Sequence, residues 1–167
     1  SYDDSYSSKG DNTKELVTSP YYRMGKAIET ALEDIVSKFG EKTDILLIGR
    51  YNFDGKKLSQ LSDRFLCTED RRIRSKKFPK ANIKFLTTHS SKGLGADNVI
   101  VINGKDDILG FPSKIEDDPI RKLVLSNAKE MDFAEERRLF YVALTRTKNR
   151  VYLVTPRHTP SAFIREL

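Results

Sequence analysis

A chain of 167 residues with 30 Lys and Arg, 24 Asp and Glu and 38% hydrophobic residues has the length and apolar content of one globular domain. One cysteine and two histidines exclude an internal disulfide and a zinc site built from Cys and His. Its apolar runs are far shorter than the roughly 20 residues of a membrane-spanning helix, and no secretory signal is visible. We therefore expect a domain of the reducing cytoplasm, with no membrane partner and no metal ligands. The net charge of +6 is only weak support for an anionic partner.

The N-terminal region begins without structure-forming residues and continues into a helix pattern. Residues 1–13 are rich in Ser, Asp and Tyr and contain no aliphatic side chain, which predicts a flexible lead-in to a domain over residues 14–167. Ser19-Pro20 has the residue types of an N-cap and a first helical position. Apolar residues then recur every three or four positions, which predicts an amphipathic helix ending near Gly40.

The middle of the chain carries short apolar runs that are typical of buried strands. Ile45–Ile48 has no polar alternation, as expected for a strand covered on both faces. The apolar residues between Leu58 and Leu66 predict a second helix, and Arg71–Lys80 a basic loop. Ile83–Leu86 and Val99–Ile102 predict two further strands.

The C-terminal part continues the alternation of helices and strands. A polar loop at Asn103–Pro112 and a short helix at Pro119–Asn127 are followed by a strong helix at Phe133–Lys148 and a strand at Val151–Val154. Strand and helix patterns that alternate in this way predict an α/β fold, with a mostly parallel sheet between layers of helices.

A polar segment directly after the Ile83–Leu86 strand is the first candidate site. It reads Thr87-Thr88-His89-Ser90-Ser91-Lys92-Gly93, and ligands of open α/β sheets bind at the carboxyl ends of the strands. Hydroxyls, backbone N–H groups and a lysine together form a candidate phosphate cradle. An ordinary polar turn is the alternative that these residues leave open.

A second candidate segment, Glu135–Arg146, lies on the predicted long helix. At 100° per residue Phe140 and Leu144 share an apolar face, and Glu136 falls in the middle of that face, so it needs a cationic or N–H partner. A solvated helix face with pairs four residues apart explains Arg137. It explains Arg146 less well, because this residue ends the helix just before a strand.

Together the two segments resemble motifs V and VI of superfamily 1 DNA helicases of the UvrD/Rep type, most strongly those of the helicase IV type. Thr87–Gly93 fits the motif V pattern Thr-x-His-x-x-Lys-Gly, and Glu135–Arg146 fits motif VI. The similarity extends to three other short stretches: Leu47–Tyr51, Gly110–Pro112 and Pro160–Phe163. The resemblance implies a RecA-like three-layer αβα fold, namely the P-loop NTPase-type second motor domain of a helicase.

The resemblance also implies roles for individual residues. Arg146 matches the arginine finger that reaches the γ-phosphate of ATP and would be the catalytic residue of this domain. Thr88 and His89 lie in the segment that contacts the phosphates of single-stranded DNA, and Gly93 lets the backbone approach the nucleotide. The expected activity is ATP-dependent DNA unwinding in the 3′-to-5′ direction.

Several features of the family are absent from these 167 residues. No Gly-x-x-x-x-Gly-Lys-Ser/Thr occurs, so ATP and Mg²⁺ are expected to be held mainly by the N-terminal RecA-like domain of the same polypeptide. Without that domain the chain is expected to be inactive. Many relatives carry Glu at the position of Gly95, where it meets the ATP ribose. The interval of about 35 residues between the Ile45 strand and motif V has no room for the subdomain that Rep-type helicases insert there.

Two other functions remain compatible with the pattern. One is a nucleic-acid-binding or adaptor domain that no longer works as a motor, although such a domain has no use for Arg146. The other is a helicase-like subunit of a helicase–nuclease complex. The acidic pairs Asp106-Asp107 and Asp117-Asp118 lack the lysine pattern of a nuclease site and are expected to be surface loops. For the motor itself, the expected partners are single-stranded DNA and the N-terminal domain.

Overall fold

The computed structural model describes residues 20–88, 90–91, 93–102, 134–145, 147–156 and Ile164. Within them the chain forms, in order, α1 (Pro20–Phe39), β1 (Asp44–Gly49), α2 (Asn52–Ser62), β2 (Phe65–Cys67), β3 (Arg72–Ser75), β4 (Asn82–Thr87), β5 (Ala96–Val101), α3 (Ala134–Leu144) and β6 (Thr147–Leu153). No helix in these ranges is long and apolar enough to cross a membrane.

One sheet contains all six of these strands, in the order β2-β3-β4-β1-β5-β6. The four strands β4, β1, β5 and β6 run parallel, whereas β3 is antiparallel to both β2 and β4. In the middle of the sheet, Ile48 of β1 lies opposite Leu86 of β4 on one side and Val101 of β5 on the other. The mostly parallel sheet expected from the sequence is confirmed.

Helices cover both faces of this sheet, which gives the three layers that the alternating pattern predicts. Helices α1 and α2 pack on one face, where the core includes Met24, Ile28, Leu32, Ile35, Leu58, Ile45, Leu47, Phe85 and Ile100. Helix α3 packs on the other face, where Phe140 joins Leu46, Ile48, Leu86, Val99 and Val101. Alternate residues of β1 thus enter two cores, which is why its sequence is apolar throughout.

The first helix agrees with its sequence pattern. Met24, Ile28, Leu32 and Ile35 are all buried, whereas Phe39 at the end of the helix is partly exposed. Gly40 follows with a φ of +84° and donates its N–H to the carbonyl of Val36 at 2.9 Å. A glycine in this left-handed conformation is the usual way to end a helix.

The second helix is shorter than predicted. It ends at Ser62, because Asp63 adopts a left-handed φ of 56° that a helix cannot continue. Phe65 and Leu66 were expected on this helix, but they belong to β2. Phe65 enters the core and Leu66 points the other way with 51% of its surface exposed, as alternation along a strand requires.

Two further expectations are wrong in part. Arg72–Ser75 forms β3 rather than a loop, because Ile73 and Ser75 are buried while Arg72 and Arg74 are exposed. The long helix does not reach Lys148: α3 ends at Leu144, and β6 begins at Thr147 to pair with β5. The predicted loop at Asn103–Pro112 and helix at Pro119–Asn127 lie outside the described residues.

Close packing between α1 and α2 generates a first prediction. A Cβ added at Gly25 would lie 2.5 Å from the Cβ of Ser62. Gly→Ala within a helix normally stabilises by about 1 kcal/mol. Here we expect Gly25→Ala to destabilise, because overpacking costs about 1–3 kcal/mol. Chemical denaturation should show that Ser62→Gly recovers stability in the Gly25→Ala background. Lys26→Ala, at the next and exposed position, should be nearly neutral, and a stabilised Gly25→Ala variant would contradict the prediction.

A hydrogen bond between β6 and α1 makes stability depend on pH. The hydroxyl of Tyr152 donates to Oδ2 of Asp34 at 2.5 Å. Burial, followed by the Asp34 carboxylate, raises the pKa of Tyr152 to about 12.

Because this folded-state pKa exceeds the ordinary value of about 10, the contribution of Tyr152 is full below pH 10 and is lost as the pH rises towards 12. Melting curves of the wild type and Tyr152→Phe should therefore converge between pH 10 and about 12. Comparison with the variant removes the titration of lysines, which both proteins share. A constant difference across this range would exclude the linkage.

Candidate nucleic-acid and nucleotide interface

The loops that follow β1 and β4 meet at the carboxyl edge of the sheet. The backbone N–H of Thr88 donates to the carbonyl of Gly49 at 3.1 Å. On the other side of β1, the N–H of Ile102 donates to the carbonyl of Ile48 at 2.8 Å. Motif V therefore starts at the edge where ligands of open α/β sheets bind, as the sequence predicts.

The hydroxyls of the motif V segment are used largely inside the turn. Thr87 Oγ1 donates to Ser90 Oγ at 3.0 Å and accepts the N–H of Ser90 at 3.2 Å. Ser91 is buried, and its hydroxyl donates to the carbonyl of Thr88 at 2.9 Å. These contacts fix the shape of the turn, so only some of its hydroxyls remain to bind a phosphate.

Thr88 is the exception among these hydroxyls. Its side chain is fully buried, and its Oγ1 has no hydrogen-bond partner among the residues that the structure describes. An unsatisfied buried polar group costs about 1–3 kcal/mol, so a native structure that keeps one needs an explanation. His89 and Lys92 lie outside the described residues.

Gly93 occupies a position that favours glycine for its backbone conformation. Its φ is +80°, and no atom of the described part of the chain lies within 4 Å of the place where a Cβ would be. A side chain would therefore be strained without any clash. The exposed space above Gly93 is open to a ligand, which fits the close approach expected from the sequence.

Beyond Gly93 the segment reaches the opposite edge of the sheet. Leu94 and Gly95 line an open groove together with Asp44 and Asn82, the first residues of β1 and β4. Motif V and the two residues after it therefore lead from the carboxyl edge at Thr88 to the amino edge, where β5 begins.

Strand β6, which follows motif VI in the chain, begins at this same amino edge. Within α3, Phe140 is buried and Tyr141 is 45% exposed, which agrees with the two faces predicted for the helix. Arg146 itself lies outside the described residues. Its chain neighbour Thr147 lies opposite Ala96, the first residue of β5. The strands that follow motif V and motif VI thus begin side by side at this edge.

A cluster of aromatic and cationic side chains at the carboxyl edge was not predicted. The rings of Tyr51 and Phe53 stack with centroids 5.0 Å apart and an interplanar angle of 7°. The Arg50 guanidinium lies 5.1 Å from the centre of the Tyr51 ring, and the Lys57 ammonium lies 4.9 Å from that of Phe53. The alternation of aromatic and basic residues after a buried strand was the signal available in the sequence.

A buried carboxylate holds this cluster in place. Asp54 is fully buried, and its Oδ2 accepts the backbone N–H groups of Arg50 at 3.1 Å and Tyr51 at 2.9 Å. Its Oδ1 accepts the hydroxyl of Tyr21 from α1 at 3.0 Å. Asp54 therefore ties the loop after β1 to both helices on that face.

The acidic residues do not form a metal site in the part of the chain that the structure describes. No group of three or more His, Cys, Asp or Glu residues lies close enough there to hold an ion. The donor set that Mg²⁺ prefers, with several oxygen ligands, is not assembled by these residues.

Comparison with known proteins agrees with this geometry. Residues 13–158 match the model of the UvrD-like helicase C-terminal domain. The chain belongs to this family. It is also similar to DNA helicase IV of Escherichia coli K12, with 39% identity over 88 residues, which are 53% of this chain and 13% of that protein. The chain thus spans a small part of this relative.

A solved structure shares the fold of this UvrD-like domain. It is the C-terminal domain of a possible DNA helicase from Lactobacillus plantarum WCFS1, with a TM-score of 0.53 and 16% identity. The similarity covers 85% of this chain and 71% of that one. The three-layer α/β architecture is therefore that of a helicase C-terminal domain.

The role of Asp54 leads to a prediction for this UvrD-like domain. Asp54→Ala removes the carboxylate that accepts hydrogen bonds from the partly buried donors of Arg50, Tyr51 and Tyr21, and a bond to a charged group contributes about 1.5–3 kcal/mol. We expect a large loss of unfolding free energy in urea, and a smaller loss for Asp54→Asn, which keeps an acceptor oxygen. Glu69→Ala, at an exposed acid, is the control and should change little. Equal stability of Asp54→Ala and Glu69→Ala would contradict this role.

Proposed function

We propose that this domain is the second motor domain of an ATP-dependent DNA helicase that moves 3′ to 5′ along single-stranded DNA. The N-terminal RecA-like domain of the same polypeptide would be its partner. The observation that carries the proposal is the course of motif V in a member of the UvrD-like family. One short segment runs from the carboxyl edge at Thr88 to the amino edge at Gly95, so it can contact DNA at one end and a nucleotide at the other.

Single-stranded DNA would bind at the carboxyl edge. Sites for single strands combine cations that follow the backbone with aromatic rings on which bases stack. Thr88 and His89 would contact phosphates there, beside Arg50 and the stacked rings of Tyr51 and Phe53. Because Thr88 Oγ1 is buried and unsatisfied, a phosphate oxygen would reach it only after the turn shifts.

ATP would bind against the opposite end of motif V. Arg146 would act as the arginine finger, since its planar, permanently charged guanidinium suits the charge that spreads over phosphoryl oxygens. Gly93 would leave room for the nucleotide. ATP supplies the phosphoryl group that is transferred, and ATP and Mg²⁺ would be held mainly by the N-terminal domain. Gly95 provides no carboxylate for the ribose.

Opening and closing of the cleft between the two motor domains would couple the sites. When Arg146 engages the nucleotide, the domains close, as in other hinge movements around a ligand. The same rigid sheet carries Thr88, so a movement at the amino edge displaces the DNA contact as well. Repeated closure and opening would then step the pair along the strand.

The test is the ATPase activity of the full-length protein with saturating single-stranded DNA. We expect Arg146→Ala to lower kcat by about 10³–10⁵, the range for arginine fingers. KM for ATP should change much less, because the contact acts mainly in the transition state. Arg146→Lys should recover little activity, since an ammonium lacks the two-pronged geometry.

Arg150→Ala is the matched control for this test, because Arg150 is an exposed arginine on the adjacent strand. Its kcat should stay near that of the wild type. The 167-residue chain alone is expected to hydrolyse no ATP. A near-normal kcat in a folded Arg146→Ala enzyme would refute the assignment of the finger.

A further inference from the structure

The positive charge of this chain is concentrated in one segment. Residues 56–84 contain ten Lys and Arg against three Asp and Glu, a surplus of seven. The whole chain has a surplus of six, so the remaining residues are slightly acidic. The segment consists mainly of the end of α2, the β2–β3 hairpin and the start of β4.

Strand register gathers part of this charge on one side of the sheet. Leu66 lies opposite Arg74, and Arg72 lies opposite Lys84. Residues opposite each other and two apart along a strand share a face, so these four side chains form one surface, which we call the hairpin face. All four are exposed. Leu46 of β1 lies next to Lys84 on the same side of the sheet.

The acids of the segment neutralise little of the hairpin face. Asp70 pairs with Arg72 at 3.2 Å, and Asp63 pairs with Lys76 at 2.9 Å. Arg74 and Lys84 have no ion pair among the described residues. Like charges directly opposite each other in a sheet are destabilising, as Arg72 and Lys84 are here. A polyanion that binds this face would relieve the repulsion.

The hairpin face differs from the carboxyl edge in its composition. Single-strand sites need aromatic rings beside the cations, and the stacked rings of Tyr51 and Phe53 lie after β1. The hairpin face contains no aromatic side chain. Lys84, the residue of this face on β4, precedes Thr88 by four residues. At the rise of a strand the two residues are about 13 Å apart. Cations without rings suit the closely spaced phosphates of a duplex.

We propose that the hairpin face binds the phosphate backbone of double-stranded DNA, as a second contact separate from the single-strand edge. The choice of DNA rests on the proposed helicase function. An acidic peptide is less favoured, because in the groove that Arg72 and Lys84 line it would also meet the carboxylate of Asp44, whereas the wider duplex would contact the exposed cations outside the groove. The alternative explanation for these charges is that they keep the edge strand β2 from pairing with another chain and aggregating.

Binding by the folded 167-residue chain tests the proposal directly. Fluorescence anisotropy compares a duplex and a single strand, each of about one to two helical turns, between about 50 and 200 mM salt. We expect Arg74→Glu/Lys84→Glu to weaken duplex binding at least about tenfold and to lower the salt slope by about two. Single-strand binding should weaken clearly less. Lys26→Glu/Lys42→Glu changes the net charge equally at exposed positions elsewhere and should preserve most duplex binding.

Phe53→Ala is the reciprocal variant and should weaken single-strand binding about tenfold, with little effect on the duplex. If the duplex binds Arg74→Glu/Lys84→Glu as well as it binds the wild type, the hairpin face is not a duplex site. The proposed motor function would stand in that case, because the Arg146 experiment tests it separately. The proposal would also be overturned if Arg74→Glu/Lys84→Glu lost the binding of poly-glutamate while its duplex binding stayed unchanged. The hairpin face would then bind an acidic partner.

Thermal melting separates a binding role from a structural one. Without DNA, Lys84→Gln should melt at a higher temperature than the wild type, because the repulsion with Arg72 is removed. Addition of the duplex should raise the melting temperature of the wild type more than that of Lys84→Gln. A lower melting temperature for Lys84→Gln, together with an equal response to the duplex, would show that the cation serves the fold and would overturn the proposal.

Discussion

The burial of β1 between β4 and β5 is the constraint on which the rest of the structure depends. Its residues enter two separate cores, and its backbone bonds to parallel strands on both sides. This arrangement fixes where β4 ends, and therefore where motif V begins. The bond from the Thr88 N–H to the Gly49 carbonyl is the last step of the same ladder. The shape of the candidate DNA site thus follows from packing in the centre of the domain.

The residues of the candidate site lie at both edges of the sheet. Aromatic rings, their neighbouring cations and the unsatisfied hydroxyl of Thr88 lie at the carboxyl edge. Leu94 and Gly95 lie at the amino edge, where Ala96 begins β5 and Thr147 begins the neighbouring β6. The segment from Thr88 to Gly95 connects the two edges of one rigidly packed sheet. A displacement of the sheet at one edge is therefore transmitted to the other edge.

The sequence predicted the elements whose pattern is local and failed where structure depends on distant contacts. The run Ile45–Ile48 and the apolar spacing of α1 needed no tertiary information. Phe65 continued the spacing of α2 and was misread, because the left-handed Asp63 that ends the helix gives no signal of its own. Strand β3 has one aliphatic residue, Ile73, and becomes a strand by pairing with β2 and β4.

The candidate site was predictable to a similar extent. The spacing of motif V located Thr88 at the strand end and singled out Gly93, but it did not predict the positive φ of that glycine. It did not reveal that the hydroxyls of Thr87 and Ser91 would bond within the turn, because those bonds depend on the conformation that the chain adopts after β4. The segment from Thr88 to Gly95 crosses to the amino edge because β4 and β5 run parallel on either side of β1. The residues of the segment do not themselves encode this strand order.

The β2–β3 hairpin also shows how this fold could accommodate additional sequence. Its tip is closed by bonds within the turn, in which the Thr68 N–H donates to the Arg72 carbonyl at 2.9 Å and the Arg71 N–H to the Thr68 carbonyl at 3.2 Å. Residues 68–71 are exposed and lie outside both cores. A whole module could therefore be grafted at this turn without altering the register of β1 and β4, so the helicase core could acquire new subdomains while its central strands stay unchanged.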